Sequence, residues 1–215
     1  MANIADKKNS IRITWHGHSC FAIETEGYCI VIDPYKDGSV AGLSPLSLEA
    51  DSILCSHGHG DHNAAETISI RKEKSFSPFQ IDTFPTFHDD VNGAKRGPNT
   101  IHILSWGGIR VAHFGDLGCR LTDAELEAIG PLDAAMIPVG GFYTISGEEA
   151  AELAKRLSPT VTIPMHYRSE SFGFDVLSTL DPFLDTYPVP VTHPGPRIDI
   201  HKNMEQQTAV LEYRP

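Results

Sequence analysis

No apolar run in this 215-residue sequence approaches the roughly 20 residues that cross a bilayer, so no membrane span is expected. Met1 to Lys8 hold no apolar stretch and do not read as a secretory signal. Basic charge is scarce: 17 Lys and Arg stand against 28 Asp and Glu, a formal net charge of -11. That balance excludes the broad basic face that nucleic-acid partners require. It leaves room for a small anionic substrate, because bound divalent cations dominate the field around them. Cysteine is sparse as well. Cys20, Cys29, Cys55 and Cys119 lie far apart, with no Cys-x-x-Cys pair. The first three sit in apolar, strand-like surroundings and read as reduced core thiols, which makes the cytoplasm the expected location. There is no linker, no low-complexity segment, no Ser-His-Asp order and no phosphate-binding glycine loop. With 40% hydrophobic residues, the chain suits one domain over 1–215 with a substantial core.

What the sequence does have is Ser56-His57-Gly58-His59-Gly60-Asp61-His62. Three imidazoles and a carboxylate fall within six positions. The glycines let the backbone turn tightly enough for alternate side chains to share one point. A stray His-x-His is often a solvated loop, but this density of donors calls for a metal. Imidazole with carboxylate suits zinc first, with manganese or iron as alternatives. Ser52-Ile53-Leu54-Cys55 before it reads as a buried strand, and Asn63-Ala64-Ala65-Glu66 after it reads as a helix opening. The motif therefore falls in a loop after a strand, where α/β folds gather their chemistry.

The remaining chain supplies further donors at strand ends. Residues 11–15, then 16–24 and 28–32 with Glu26-Gly27 between the last two, predict an opening meander closed by Asp33-Pro34. Residues 37–50 read as a surface loop, and Arg71 to Lys74 as a charged turn. Residues 81–87 alternate as a strand and deliver His88, followed by a loop over 92–98. Residues 100–105 and 109–114 flank Trp106-Gly107-Gly108 as a second hairpin, and the return strand delivers Asp116. Thr122-Asp123-Ala124-Glu125 and Ser146-Gly147-Glu148-Glu149 match the capping box, predicting helices to about Ile129 and Leu157. Strands over 134–139 and 160–165 follow the pattern, and the second delivers His166. A helix over 175–184 and a strand over 208–213 complete the expectation. Hairpins first and strand–helix alternation later suggest two packed sheets with helices outside.

The donors at strand ends are His57, His59, Asp61, His62, His88, Asp116 and His166. Seven exceed the shell of one four-coordinate metal and suit two metals sharing one carboxylate. The H-x-H-x-D-H order resembles the metallo-β-lactamase superfamily. So do Gly17-His18-Ser19, Ile32-Asp33-Pro34, Gly115-Asp116, Ile137-Pro138-Val139-Gly140-Gly141 and Pro164-Met165-His166-Tyr167, which together span most of the chain. The likeness is nearest to the small stand-alone hydrolases, including the UlaG-like lactonases. True β-lactamases and glyoxalase II match less well, and the nuclease branch carries an inserted clamp domain that a chain of this length has no room for. The resemblance implies a four-layered αββα sandwich. It implies that His57, His59 and His88 hold one cation, that Asp61, His62 and His166 hold the other, and that Asp116 bridges them. It implies a metal-dependent hydrolase acting through metal-bound hydroxide on an ester, lactone, amide or phosphodiester of a small molecule. Asp61, Asp116 and His18 are then the residues nearest the chemistry, His18 at the site mouth.

One departure from the family pattern is that Gly115-Asp116-Leu117-Gly118 has Leu117 where a threonine is usual, removing a hydroxyl beside the bridging ligand. His113 is a candidate for supporting a ligand. Tyr143, Arg168 and Asn99 are weaker candidates for touching substrate, and Cys119 reads as a bystander. Ser19, Ser56 and Ser169 lack a free histidine partner, so none is expected to act as nucleophile. Two other classes stay open on sequence: a mononuclear iron dioxygenase of the same superfamily, and a non-catalytic metal-binding protein. Assembly into a homo-oligomer is also left open.

Overall fold

The apolar alternation of the chain resolves into two sheets and a small strand pair. A computed structural model describes residues 9–71 and 76–215. The reading of Met1 to Lys8 and most of the charged turn at Arg71 to Lys74 lie outside the described residues. The elements are β1 (Ile11–Trp15), β2 (Phe21–Thr25), β3 (Tyr28–Ile32), β4 (Leu48–Ala50), β5 (Ser52–Leu54), β6 (Ile68–Ile70), β7 (Gln80–Phe87), β8 (Pro98–Trp106) and β9 (Ile109–His113). Then follow α1 (Asp123–Ile129), β10 (Ala134–Pro138), α2 (Gly147–Leu157), β11 (Val161–Met165), α3 (Asp181–Thr186), β12 (Val191–Thr192), β13 (Arg197–Ile200) and β14 (Gln207–Ala209). The first sheet runs β13-β1-β2-β3-β5 and the second β12-β14-β11-β10-β9-β8-β7, with β4 and β6 paired apart.

Side-chain alternation decides which face of each strand is which. On β2 and β3, Phe21, Ile23, Ile30 and Ile32 enter the main core, while Ala22, Cys29 and Val31 enter a second cluster with Tyr35, Val40, Ala50 and Ile68. The first sheet is thus covered outside by the segment after β3 and by the β4/β6 pair. On the second sheet, His102 pairs with His113 across β8 and β9, and His113 with Met136 across β9 and β10. This face meets the first sheet, since His113 Nε2 lies 2.9 Å from the Ser19 carbonyl and His102 Nε2 lies 3.0 Å from the Cys55 carbonyl. Ala112 and Ala135, in register on the opposite face, are small enough to admit helices, and α2 packs there on β10.

Both capping boxes form. Thr122 Oγ1 accepts from the Glu125 N–H while Glu125 returns a bond to the Thr122 N–H, and Ser146 and Glu149 do the same. Each cap contributes about 1 kcal/mol. Other expectations change. The helix opening at Asn63 is only a 3₁₀ turn, Ala65–Thr67, because the chain is at once taken into β6 against β4. The loop expected over 37–50 therefore ends in a strand. The helix expected over 175–184 is confined to α3, with Pro182 in its first turn. Upstream, Ser178 N–H bonds the Gly140 carbonyl instead, at 2.8 Å. The last strand is shorter than expected. β4, β6, β12 and β13 were not anticipated, being too short for alternation to register. β13 carries the chain back to pair antiparallel with β1.

Candidate metal centre

One rim of the sandwich collects the chemistry. The loops after β3, β5, β7, β9 and β11 deliver Asp33, His57 to His62, His88, Asp116 and His166, and the β1–β2 turn delivers His18. Carboxyl ends of strands are where open α/β sheets form their crevices.

Asp33 organises the first two histidines. Its Oδ1 accepts the Ser56 N–H at 2.6 Å, and its Oδ2 accepts the Ser56 hydroxyl at 2.6 Å. With that proton committed, Ser56 Oγ is left to accept from His57 Nδ1, 2.9 Å away. Asp33 Oδ2 also accepts from His62 Nδ1 at 2.9 Å. Both rings thus carry a proton on Nδ1, which leaves the Nε2 atoms turned into the site. Such outer partners fix ring orientation and raise ligand basicity.

Those nitrogens converge on Asp116. Its Oδ2 lies 3.2 Å from His62 Nε2, 3.2 Å from His166 Nε2, 3.3 Å from His88 Nε2 and 4.0 Å from His57 Nε2. His57 Nε2, His62 Nε2, both ring nitrogens of His166 and Asp116 Oδ1 are buried without a hydrogen-bond partner. Buried polar atoms are rarely left so, and a cluster of them marks a binding site for an ion. The donors fall into sets whose ligand atoms lie within 4.8 Å of one another: His57, His59 and His88 in one, and His18, Asp61, His62 and His166 in another. Asp116 stands within reach of both. Imidazoles and carboxylates in two such sets fit divalent cations.

The charges follow this geometry. Burial opposes protonation of His62, but Asp116 and Asp33 outweigh it and hold its pKa well above that of ordinary imidazole. Burial, with His62 close by, pushes His57 down to about 3. Burial would raise Asp116, yet His166 and His62 hold it well below the usual carboxylate range.

Three non-glycine residues at the rim have left-handed backbone: His18 (φ 51°), Asp33 (φ 51°) and His166 (φ 55°). Such conformations cost about 1–3 kcal/mol each and persist where the surroundings over-determine them. Here the His166 N–H bonds the His18 carbonyl at 3.2 Å. Gly115 (φ 55°) allows the Asp116 loop to close, since a Cβ there would collide with Asn99 Oδ1 and Ser56.

The remaining candidates divide. His18 is buried inside the cluster rather than at its mouth, its ring 4.1 Å from that of His166 and its Nε2 3.3 Å from Asp61 Oδ2. His113 donates Nε2–H to the Ser19 carbonyl and accepts the Gly115 N–H at Nδ1, so it ties the Asp116 loop to the first sheet. Asn99 is buried; its Oδ1 accepts the Asp116 N–H at 2.9 Å, and its amide donates to Thr86 and the Phe114 carbonyl. It supports Asp116 from the backbone side, while Leu117 is wholly buried in the core. Arg168 is bonded to the Leu177 carbonyl through Nε, and Cys119 packs against the core. Tyr143 lines the cleft of about 380 Å³ that opens over the donors, with Arg96 and Phe174 also in its wall. Asp33 and Ser56 are the functional residues that sequence reasoning missed. The available signal was an aspartate closing a wholly apolar strand, where burial of a carboxylate demands a partner.

The family model described as the β-lactamase superfamily domain matches residues 12–166. The chain belongs to the metallo-β-lactamase superfamily. A metal-dependent hydrolase of the UPF0173 group from Thermoplasma acidophilum is 30% identical over 74% of this chain and 84% of its own. A second, from Carboxydothermus hydrogenoformans, is 28% identical over 74% and 85%. Among solved structures, a Thermotoga maritima protein assigned to the Zn-dependent hydrolases of the metallo-β-lactamase superfamily superposes with a TM-score of 0.75 at 33% identity, covering 95% of this chain and all of its own. The human short-form tRNase Z superposes with a TM-score of 0.54 at 13% identity, over 74% of this chain and 93% of its own, which shows the shared fold alone. Within the superfamily the chain groups with the metal-dependent hydrolases. Among the described residues, no helix is long and apolar enough to cross a membrane.

Proposed function

We propose that this metal-dependent hydrolase holds two divalent cations, zinc by preference, and cleaves an ester, lactone, amide or phosphodiester of a small molecule. The observation that carries the proposal is the convergence of unpartnered, buried imidazole nitrogens on both sides of one carboxylate, Asp116. His57, His59 and His88 would hold one cation, Asp61, His62 and His166 the other, with Asp116 between them. Cations held there would supply Lewis-acid activation of water and of the bond under attack. The chain's own residues prepare that site. Asp33 and Ser56 fix the Nδ1–H of His57 and His62, so the Nε2 atom of each faces the site, and His62 would give up its Nε2 proton on binding a cation. The His18 ring stands beside Asp61, its Nε2 3.3 Å from Oδ2, and its carbonyl accepts the His166 N–H. Ser56 is committed to Asp33 and is not a nucleophile.

The four cysteines are free, which fits a reducing compartment and supports a cytoplasmic location. The net charge of -11 supports a small-molecule substrate over nucleic acid.

The test is a pH–rate profile with simple ester and phosphodiester substrates, beside chelated protein of verified metal content. Turnover is expected to rise with pH through an apparent pKa of roughly 7 and to vanish on chelation. Full activity in metal-free protein, or an acyl- or phosphoryl-enzyme mapped to a side chain by mass spectrometry, would refute the reading.

A further inference from the structure

The wall of the cleft contains one permanent cation, Arg96, opposite a floor of imidazoles and carboxylates. Arg96 is held from three directions. Its N–H donates to Asp89 Oδ2 at 2.7 Å, its Nη2 donates to the Phe142 carbonyl at 3.0 Å, and its guanidinium carbon lies 5.6 Å from the centre of the Tyr143 ring. Asp89 is buried and takes four backbone N–H bonds, from Val91, Gly93, Lys95 and Arg96. The loop after His88 is therefore wound around one carboxylate directly beside a metal-site histidine.

The chain is strongly acidic, and four of its other eight arginines use that. Arg12, Arg71, Arg156 and Arg214 each sit on a carboxylate. Among the described residues Arg96 has no such partner, although it is half-buried. One of its five N–H groups is used by the Phe142 carbonyl. A guanidinium oriented by a backbone carbonyl and an aromatic face, with donors to spare, is built to take a carboxylate or phosphate in a forked geometry.

We propose that Arg96 is a specificity-determining residue and that the substrate is a small organic anion. Its carboxylate or phosphate binds Arg96 while the bond to be cleaved lies over the Asp116 cluster. Tyr143 and Phe174 pack against the connecting carbon chain. This inference rests on the hydrolase reading above for the cleavage, but not for the binding.

The experiment compares metal-loaded wild type, Arg96→Met and Arg96→Lys on three matched esters: neutral p-nitrophenyl valerate, p-nitrophenyl hydrogen glutarate and its phosphonate counterpart. Wild type is expected to favour one of the anionic esters. Arg96→Met is expected to lower kcat/KM on that ester about tenfold or more, chiefly through KM, while the neutral ester stays within about threefold. Arg96→Lys restores part of the loss, because it returns charge without the fork. Which anionic ester responds identifies carboxylate or phosphate. Equal losses on neutral and anionic esters, or no preference in wild type, would overturn the proposal. Calorimetric titration with the corresponding ethers, which cannot be hydrolysed, separates the two claims. Weaker binding of the anionic ether alone in Arg96→Met supports the role of Arg96 even if no ester turns over, and unchanged binding overturns it. Absence of turnover on every ester would count against the hydrolase reading only.

Discussion

Two of the protein's clefts make a contrast, and the larger of the two is not where the chemistry collects. A cleft of about 610 Å³ is lined by Arg110, Asp133, Arg156 and Lys202 among others, and the cleft over Asp116 measures about 380 Å³. In the larger cleft the cations are already engaged. Arg110 bonds the Ile129 and Pro131 carbonyls, Lys202 bonds both oxygens of Asp133, and Arg156 bonds the Leu121 carbonyl and Asp123. They close the end of α1 and tie the chain's last segment to the second sheet. In the smaller cleft, buried nitrogens and a carboxylate oxygen have no partner. Charge and volume are present in both. Unsatisfied buried polar atoms, which a fold tolerates only for a reason, are what distinguish the functional one.

That contrast is broken most sharply by removing the centre of the smaller cleft. Asp116→Ala is expected to cut turnover at least about 100-fold and to lose bound metal, read by steady-state kinetics and elemental analysis on the same sample. Retained activity with full metal would mean that Asp116 does not join the two donor sets. Asp33→Ala comes next. It touches no cation in the proposed scheme, but it frees the His57 and His62 tautomers, and a loss of about 10–100-fold in metal affinity is expected by competition with a chelator. Ser56→Ala should show a smaller effect in the same direction, because Asp33 still holds His62. Wild-type affinity in Asp33→Ala would show that the rings are set by packing alone. The smallest effect belongs to the larger cleft. Lys202→Met should leave kcat/KM unchanged and shift stability by no more than about 1 kcal/mol in thermal unfolding, as expected for a partly exposed pair. A tenfold loss of turnover there would erase the distinction between the clefts.

Much of this was legible in the sequence where local chemistry is dense. The strands through β11, apart from the short pair β4 and β6, and the two capped helices follow from alternation and from Thr122 and Ser146, and the donors announce themselves by spacing and by standing at strand ends. What stayed hidden depends on contacts between distant segments. Asp33 becomes a support for His57 and His62 only when β3 lies beside β5 in parallel. Asn99 looks like a strand residue until the return strand places the Asp116 N–H against it. His18 is placed at the mouth by the family likeness of Gly17-His18-Ser19, but the fold buries it against His166. The short strands β12 and β13 and the curtailed α3 carry too little periodic signal to compete with their partners in space.

The most direct test of a two-cation centre is a count. Protein stripped of metal, saturated with zinc and freed of excess should carry two ions per chain by elemental analysis, since His57, His59 and His88 form one donor set and Asp61, His62 and His166 lie in another, with Asp116 Oδ2 close to His62, His88 and His166. Asp116→Ala and His59→Ala should each carry fewer. One tightly held ion per wild-type chain after saturation would contradict the dinuclear site and point to the mononuclear iron class instead.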